Sequence, residues 1–339
     1  MKIALVTDAW APQTSGVVTT MTRMAEMLGA RGHTVEVFHP GLFWTAPCPT
    51  YPDIRLALFC GRRLARLLDE FQPDAIHLPT EGPLGLAGAR YCRKRRYPYT
   101  TTYTTKWPEY IRIRFGIPLR VTYWFLRRFH SGAAHVSVST NSLEETLRAR
   151  GFERIVRWGR GVDSNLFRPR DKSAISAPRP VYVYMGRVSV EKNIEAFLSL
   201  GLPGTKMVIG DGPALEELQH KYPDVRFLGK KKGEDLAAHL EAGDVFVFPS
   251  LTDTFGIVMI EAMACGLPVA AFPVEGPKDV VIQGETGWLD EDLKTAVSKA
   301  LTMSPQRCRE FALQCSWERS VEQFEAILVP IAPRDGRVS

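Results

Sequence analysis

Short β-rich runs alternate with helical patterns from one end of this 339-residue chain to the other, and no other feature constrains its fold as much. Candidate strands cover residues 3–7, 34–38, 75–78, 99–103 and 135–139, then 181–185, 206–209, 225–228, 245–248 and 268–272. Amphipathic stretches separate them, such as residues 17–30, where Val17, Met21, Met24 and Leu28 share one face. Strands that alternate with helices imply α/β architecture, parallel sheets flanked by helices. The alternation pauses once. Residues 164–180 (SNLFRPRDKSAISAPRP) hold three prolines and no apolar periodicity, which reads as an interdomain linker. The expected layout is a first domain over residues 1–163, a linker over 164–180 and a second domain over 181–316. A last helical stretch, 317–339, is expected to pack back on the first domain. The length suits two cores better than one.

An apolar fraction of 45% with 24% charged residues describes a soluble globular protein. No apolar run reaches the roughly 18 residues of a membrane span. The start, MKIALVTDAW, reads as a first strand, not a signal peptide, so the cytoplasm is expected. Six cysteines (48, 60, 92, 265, 308, 315) show no Cys-x-x-Cys pair and no histidines at metal spacing, which argues against zinc and disulfide frameworks. Charge is divided unevenly. Residues 1–170 carry 25 Lys+Arg against 13 Asp+Glu, and residues 171–339 carry 18 against 24. The densest basic stretch is 90–96 (RYCRKRR), and Arg112, Arg114, Arg120, Arg127 and Arg128 follow among Tyr, Trp and Phe. Such interleaving suits an anionic membrane surface, on the inner face of the cytoplasmic membrane. RNA shares the charge signature, but no RNA-binding motif accompanies it and no nucleic acid is expected. A solvated face is the plain alternative.

The second half carries the chemistry. Residues 253–261 read Asp-Thr-Phe-Gly-Ile-Val-Met-Ile-Glu, two acids eight positions apart. A helix starting near Phe255 would offer first-turn amides to an anionic or hydroxyl-rich ligand, with Asp253 just before it and Glu261 about two turns along. A capped core helix reads equally well from this spacing alone. Upstream, a strand ends at Met185-Gly186-Arg187 and is followed by Lys192-Asn193. An arginine and a lysine beyond a strand end can grip a diphosphate and neutralise the charge that develops when it departs. Ile209-Gly210-Asp211-Gly212-Pro213 forms another strand, glycine turn and helix start, and Val247-Phe248-Pro249-Ser250 precedes the acids. These features sit on successive strand ends, where open parallel sheets bind ligands. In the first half, Thr7-Asp8 ends a strand and Pro12-Gln-Thr-Ser-Gly16 leads into a helix, a weaker phosphate signal. The absence of Gly-x-Gly-x-x-Gly there disfavours a dinucleotide.

Taken together, Gly186-Arg187…Glu191-Lys192-Asn193, Gly210-Asp211-Gly212-Pro213 and the acid-x7-Glu run ending Glu-Ala-Met-Ala-Cys-Gly-Leu-Pro-Val resemble the retaining GT-B glycosyltransferases of family 4. Gly161-Val162-Asp163, Gly284-Glu-Thr-Gly287 and the N-terminal glycine loop extend the resemblance over nearly the whole chain. Thr80-Glu81-Gly82-Pro83-Leu84-Gly85 and Trp107-Pro108-Glu109-Tyr110 look most like bacterial members that glycosylate lipids or related glycans. The resemblance implies a GT-B fold: two Rossmann-like domains facing across a cleft, the first for the acceptor and the second for a nucleotide sugar. It implies a catalytic set of Arg187, Lys192 and Asp253, the basic pair on the donor diphosphate and Asp253 on donor-sugar hydroxyls. Glu261 would bind the ribose, the Phe255 and Gly256 amides the sugar or its phosphate, and Gly16 would approach from the first domain. Gly186, Gly210, Gly212, Ser250 and Ile257 complete the implied donor surface, and Thr104, Thr105, Lys106 and Glu81 are the acceptor-side candidates.

The implied activity moves a hexosyl group, with retention, from a nucleotide diphosphate sugar (UDP ahead of GDP) to a lipid hydroxyl of diacylglycerol or glycolipid type, or to a glycan. The acceptor attacks from the front face and the leaving phosphate takes its proton. No cofactor or metal is expected, because the basic pair stands in the metal's place. Two positions depart from the pattern. Asp253 stands where the family commonly has Glu, and Thr104 stands where a histidine is expected, without imidazole's charge or reach. His77 and His130 read as structural. A nucleotide-sugar epimerase would need an acid and a histidine for proton abstraction. A non-catalytic nucleotide-sugar-binding protein is the other alternative.

Overall fold

The computed structural model describes residues 1–13, 15–48, 51–170, 172 and 176–332, with residues 51–53 as backbone alone. The chain forms two compact units, residues 1–159 with 320–339, and residues 160–319. In the first, strands β1 (Lys2–Val6), β2 (Thr34–Phe38), β3 (Thr45–Cys48), β4 (Tyr51–Ala57), β5 (Ala75–Leu78), β6 (Thr100–Thr102), β7 (His135–Val138) and β8 (Ile155–Arg157) alternate with six helices. These are α1 (Gly16–Ala30), α2 (Gly61–Phe71), α3 (Pro83–Arg95), α4 (Trp107–Phe115), α5 (Leu119–His130) and α6 (Asn141–Ala149). Six strands make one parallel sheet in the order β2-β1-β5-β6-β7-β8, and β3 and β4 form a separate antiparallel hairpin.

The second unit contains β9 (Val181–Met185), β10 (Thr205–Ile209), β11 (Arg226–Phe227), β12 (Val245–Phe248), β13 (Val269–Ala271) and β14 (Gly287–Leu289). Around them lie α7 (Glu195–Leu198), α8 (Leu215–Lys221), α9 (Gly233–Glu241), α10 (Ile257–Ala264), α11 (Pro277–Val280), α12 (Leu293–Ala300) and α13 (Pro305–Leu313). The sheet is again parallel, in the order β11-β10-β9-β12-β13-β14. Its core shows why the sequence folds this way. Val181, Val183 and Met185 of β9 join Phe246 and Phe248 of β12 and the residues of α10 on one face. Tyr182 and Tyr184 join Val245, Val247 and α12 on the other. Side chains alternate across a strand, so a continuous apolar run such as VYVYM is buried on both faces only when helices cover both.

Each sheet reverses its winding once, between β1 and β5 in the first unit and between β9 and β12 in the second. At such a switch point the loops after the two strands diverge to opposite faces and leave a crevice at their carboxyl ends.

Two boundaries differ from the sequence expectation. Residues 160–180, expected as the end of the first domain and a linker, count with the second unit wherever they are described. Phe167 is buried in its core, and Arg309 donates to the carbonyls of Ser164, Phe167 and Ala264. A segment without periodicity is thus fastened by buried Val162 and Phe167, by backbone acceptors and by ion pairs of Arg170 with Glu241 and of Lys172 and Arg179 with Asp244, none of which leaves a periodic trace. The final helix, α14 (Trp317–Ile327), belongs to the first unit from Ser320 onward. There Trp158 Nε1 donates to the Ser320 carbonyl at 3.0 Å, Phe324 packs edge-on to His77 with ring centroids 4.8 Å apart, and Glu325 pairs with Arg31. Among the described residues, no helix is long and apolar enough to cross a membrane.

Candidate functional site

The second unit's switch point is assembled from three loops. After β9, Gly186 takes φ 155° and the Tyr184 hydroxyl donates to the Arg187 carbonyl at 2.7 Å. Val188 N donates to the Asp211 carbonyl at 2.9 Å, so the turn after β10 crosses directly on the turn after β9. The crossing leaves no space for side chains. A Cβ on Gly210 would lie 1.8 Å from the Gly186 carbonyl oxygen, and one on Gly212 would lie 2.3 Å from that of Val188. Both glycines therefore have a packing reason to be glycine, separate from any ligand.

Lys192 ends a single 3₁₀ turn, and Asn193 follows in the left-handed conformation (φ 50°), which asparagine tolerates better than most residues. Its Nδ2 donates to the Pro249 carbonyl at 3.1 Å, and the Thr252 hydroxyl donates to the Glu191 carbonyl at 3.1 Å. These two bonds sew the loop after β9 to the loop after β12, and they bring Lys192 Nζ within 2.5 Å of Asp253 Oδ1. Asp253 is therefore an ion-pair partner and not a helix cap. α10 begins at Ile257, with Gly256 at its N-cap (φ 79°) and no side-chain cap bond, so the capped-helix reading falls away. The helix also starts two residues later than expected, and Glu261 stands a little over one turn along it, not two. Gly256 meets two demands, since a Cβ there would lie 2.9 Å from Phe248 Cζ as well as on a left-handed backbone.

Glu261 is half-buried, and among the described residues no hydrogen bond or ion pair engages its carboxylate. Desolvation alone pushes it up to about 7. Ser250 Oγ and Asp253 Oδ2 are buried nearby in the chain, also without a hydrogen-bond partner among the described residues. Buried polar groups are ordinarily satisfied, so a set left open at the carboxyl edge of a parallel sheet marks where a hydroxyl-rich ligand would bind.

The first unit's switch point is organised otherwise. Asp8, just past β1, is buried and accepts from Leu84 N at 2.8 Å, Gly85 N at 3.1 Å and the Thr80 hydroxyl at 2.9 Å. It caps α3 from 76 positions away, and a Cβ on Gly82 would strike its carboxylate at 2.5 Å. Burial raises its pKa, against the opposing pull of those hydrogen bonds. Sequence reasoning noted Asp8 only as a strand end. The available signal was α3 itself, which opens with Pro83 but carries Gly82, with no side chain to cap it.

Glu81 is buried with its Oε1 3.2 Å from His130 Nε2, and His130 Nδ1 lies 2.8 Å from the Thr101 hydroxyl. His77 is bonded at both ring nitrogens, to the hydroxyls of Thr100 at 2.8 Å and Thr102 at 2.9 Å. Both histidines are buried members of a hydroxyl network. Of the other acceptor-side candidates, Thr104 reaches the Pro79 carbonyl at 3.4 Å, Thr105 is half-buried, and Lys106 is buried at the N-cap of α4. Gly16 is exposed at the first position of α1, whose cap is Ser15. Among the described residues no group of three or more His, Cys, Asp or Glu side chains is placed to hold a metal, and the six cysteines are free.

Residues 14–166 match the family model described as Glycosyltransferase Family 4, and residues 179–303 match the model described as Glycosyl transferases group 1. A GDP-mannose-dependent alpha-mannosyltransferase of Mycolicibacterium smegmatis is 31% identical over 315 residues, covering 85% of this chain and 84% of that protein. An alpha-monoglucosyldiacylglycerol synthase of Streptococcus pneumoniae is 26% identical over 368 residues, covering 96% of this chain and 83% of that protein. Among solved structures, the sucrose-phosphate synthase of Thermosynechococcus elongatus superposes with a TM-score of 0.76 at 22% identity, over 96% of this chain and 98% of that one. At that identity the likeness speaks for the fold alone.

Proposed function

This chain belongs to the family 4 glycosyltransferases, and from that premise we propose that it transfers a hexosyl group, with retention of configuration, from a nucleotide diphosphate sugar to a lipid or glycan hydroxyl. The observation that carries the donor side is the open carboxylate of Glu261, on the helix that follows Asp253, together with the Lys192–Asp253 pair, all on loops and a helix from the carboxyl edge of one sheet. In this reading the ribose hydroxyls donate to Glu261. Arg187 and Lys192 hold the diphosphate and stabilise the charge it gains as the glycosidic bond breaks. Asp253, already orienting Lys192, accepts from a donor-sugar hydroxyl with its second oxygen. The acceptor hydroxyl attacks from the face the diphosphate leaves, and its proton passes to the departing phosphate oxygen. Family membership favours transfer over an epimerase or a non-catalytic binding protein.

For the base, the mannosyltransferase relative at 31% identity is named for GDP-mannose, which supports guanine over the uracil that sequence reasoning put first. For the acceptor, the diacylglycerol named in the second relative supports a lipid. So does the outer face of α4 and α5, where Ile113, Phe115, Val121 and Trp124 are exposed among Arg112 and Arg120. Apolar side chains set among arginines suit peripheral contact with an anionic bilayer on the cytoplasmic side. The test is to incubate the purified chain with GDP-mannose or UDP-glucose and vesicles containing diacylglycerol, and to read product and anomeric configuration by NMR. A product of inverted configuration would refute retention. Full activity in Lys192→Ala and Glu261→Ala would refute the site.

A further inference from the structure

The first unit holds a cavity of about 270 Å³ whose arginines the transfer reading does not use, lined in part by Trp124, Arg127, Arg128, Ser131, Phe152 and Arg154. Its walls are the last two turns of α5 with Ser131, where the connection to β7 begins, and the connection from α6 to β8. Connections that run from a helix into a strand lie at the amino edge of a parallel sheet, so the cavity opens on the edge opposite the switch-point loops. We infer that this cavity is a second anion site and takes a phosphate group.

Three observations converge on that assignment. Arg127, Arg128 and Arg154 bring three guanidinium groups to one cavity, against a single carboxylate, Glu153. Second, Arg127 and Arg154 are held by neutral acceptors, and among the described residues no ion pair to an acid involves any of the three. Arg154 donates to the Ser131 carbonyl at 2.7 Å and Arg127 to the Arg150 carbonyl at 3.4 Å. Among the described residues no hydrogen bond or ion pair engages the Arg128 guanidinium. Arginine forks fixed in this way are preorganised for phosphate oxygens. Third, Arg154 is a non-glycine residue in the left-handed region (φ 54°), immediately before β8. Strain of that kind persists where surrounding structure enforces it, and such places cluster at ligand sites. The negative end of α5 accounts for Arg127 and Arg128 in its last turn. It does not account for Arg154, which enters from a different connection. Phe152 floors the cavity and exposed Trp124 walls it, leaving room for whatever is esterified to the phosphate.

The phosphate would come from a lipid headgroup or from a soluble ester, and the test separates the two. The full chain is titrated with inorganic phosphate, followed by thermal unfolding. In parallel it is sedimented with phosphatidylcholine vesicles with and without phosphatidic acid. Arg128→Gln with Arg154→Gln is expected to lower the affinity for the responding probe roughly tenfold or more, the effect of losing hydrogen bonds to a charged group. Arg66→Gln, which removes one positive charge elsewhere on the unit, and Arg187→Ala in the donor site are expected to leave that affinity within about twofold. The Arg187 control also keeps failure of this inference distinct from failure of the donor site. A response to inorganic phosphate identifies a soluble ester, and a response to doped vesicles alone identifies a lipid. If the double variant unfolds, Arg128→Ala decides, since that side chain supports no other group. No binding of either probe, binding undiminished in the variants, or an equal loss in Arg66→Gln would overturn the assignment.

Discussion

The two sheets turn at equivalent places and use their polar residues in opposite ways. At the first unit's switch point Asp8 receives three hydrogen bonds, Glu81 faces His130, and His77 is bonded on both sides. At the second unit's switch point Glu261 is unpartnered, and Ser250 Oγ and Asp253 Oδ2 find no hydrogen-bond partner among the described residues. One set of groups is committed to holding the fold, and the other is held in place without being satisfied. Topology alone therefore does not nominate a ligand site. Unsatisfied polarity at the right edge does.

Four substitutions test this contrast, and the largest effect should come from Lys192→Ala. Transfer should fall by about 10²–10³ in kcat, as for loss of a single preorganised group that stabilises developing charge. Unfolding by urea should barely change, because the lost ion pair is partly exposed. A large drop in stability would mean that the pair serves the fold, and the contrast between the units would break.

Glu261→Gln comes next and should move function and stability in opposite directions. A carboxyl raised from 4.5 to about 7 binds its proton more tightly folded than unfolded. The folded state then holds more protons, and stability falls as pH climbs from about 4.5 to about 7. Below that window the residue costs nothing, and above it the full penalty, on the order of 2–3 kcal/mol, is present. The glutamine variant should therefore be more stable than the native chain at pH 8 and equal to it at pH 4, as urea denaturation at the two values would reveal. Donor affinity should weaken roughly tenfold or more, because a ribose would lose a charged acceptor. The acid limb of kcat/KM near pH 7 should also disappear. Equal stability of the two proteins at pH 8 would show that Glu261 is satisfied after all.

Asp8→Ala should cost about 1–2 kcal/mol of the first unit's stability through the uncapped start of α3, read by hydrogen exchange at Leu84 and Gly85. Smallest is Thr104→Ala, within about 0.5 kcal/mol, since the reach of its hydroxyl to the Pro79 carbonyl, at 3.4 Å, is long for a hydrogen bond. A denaturation midpoint shifted by more than that would show that the threonine, where a histidine was expected, carries structural weight.

Much of this was legible in sequence, and the reasons are local. Apolar runs located residues 75–78, 181–185 and 245–248 to the residue, because those strands are buried throughout and bounded by Gly, Pro or Asp, and alternation located 34–38 between His33 and His39. β8 and β14 were missed because Arg154 and Arg157, and Gly287 and Asp290, leave only two apolar residues between them, whereas the equally short β13 lies inside the apolar run 268–272. The β3–β4 hairpin was missed because Pro47 and Pro52 argue against a strand in any context but an edge. At the site, spacing named Lys192, Asp253 and Glu261, but it left open whether Asp253 capped a helix. Only the loops sewn together by Asn193 and Thr252 decide that, through partners 56 and 61 positions away. Asp8 was passed over for a like reason, since its partners lie 72 to 77 positions away and the only local trace was the uncapped start of α3.

The return of α14 to the first unit has a consequence for synthesis. Residues 160–319 are one uninterrupted stretch, so the second unit can fold as soon as it clears the ribosome, whereas the first lacks Ser320 and Phe324 until the whole of the second has been made. For the length of an entire domain, Trp158 and His77 must wait for their covering side chain, and the half of the protein made first is completed last.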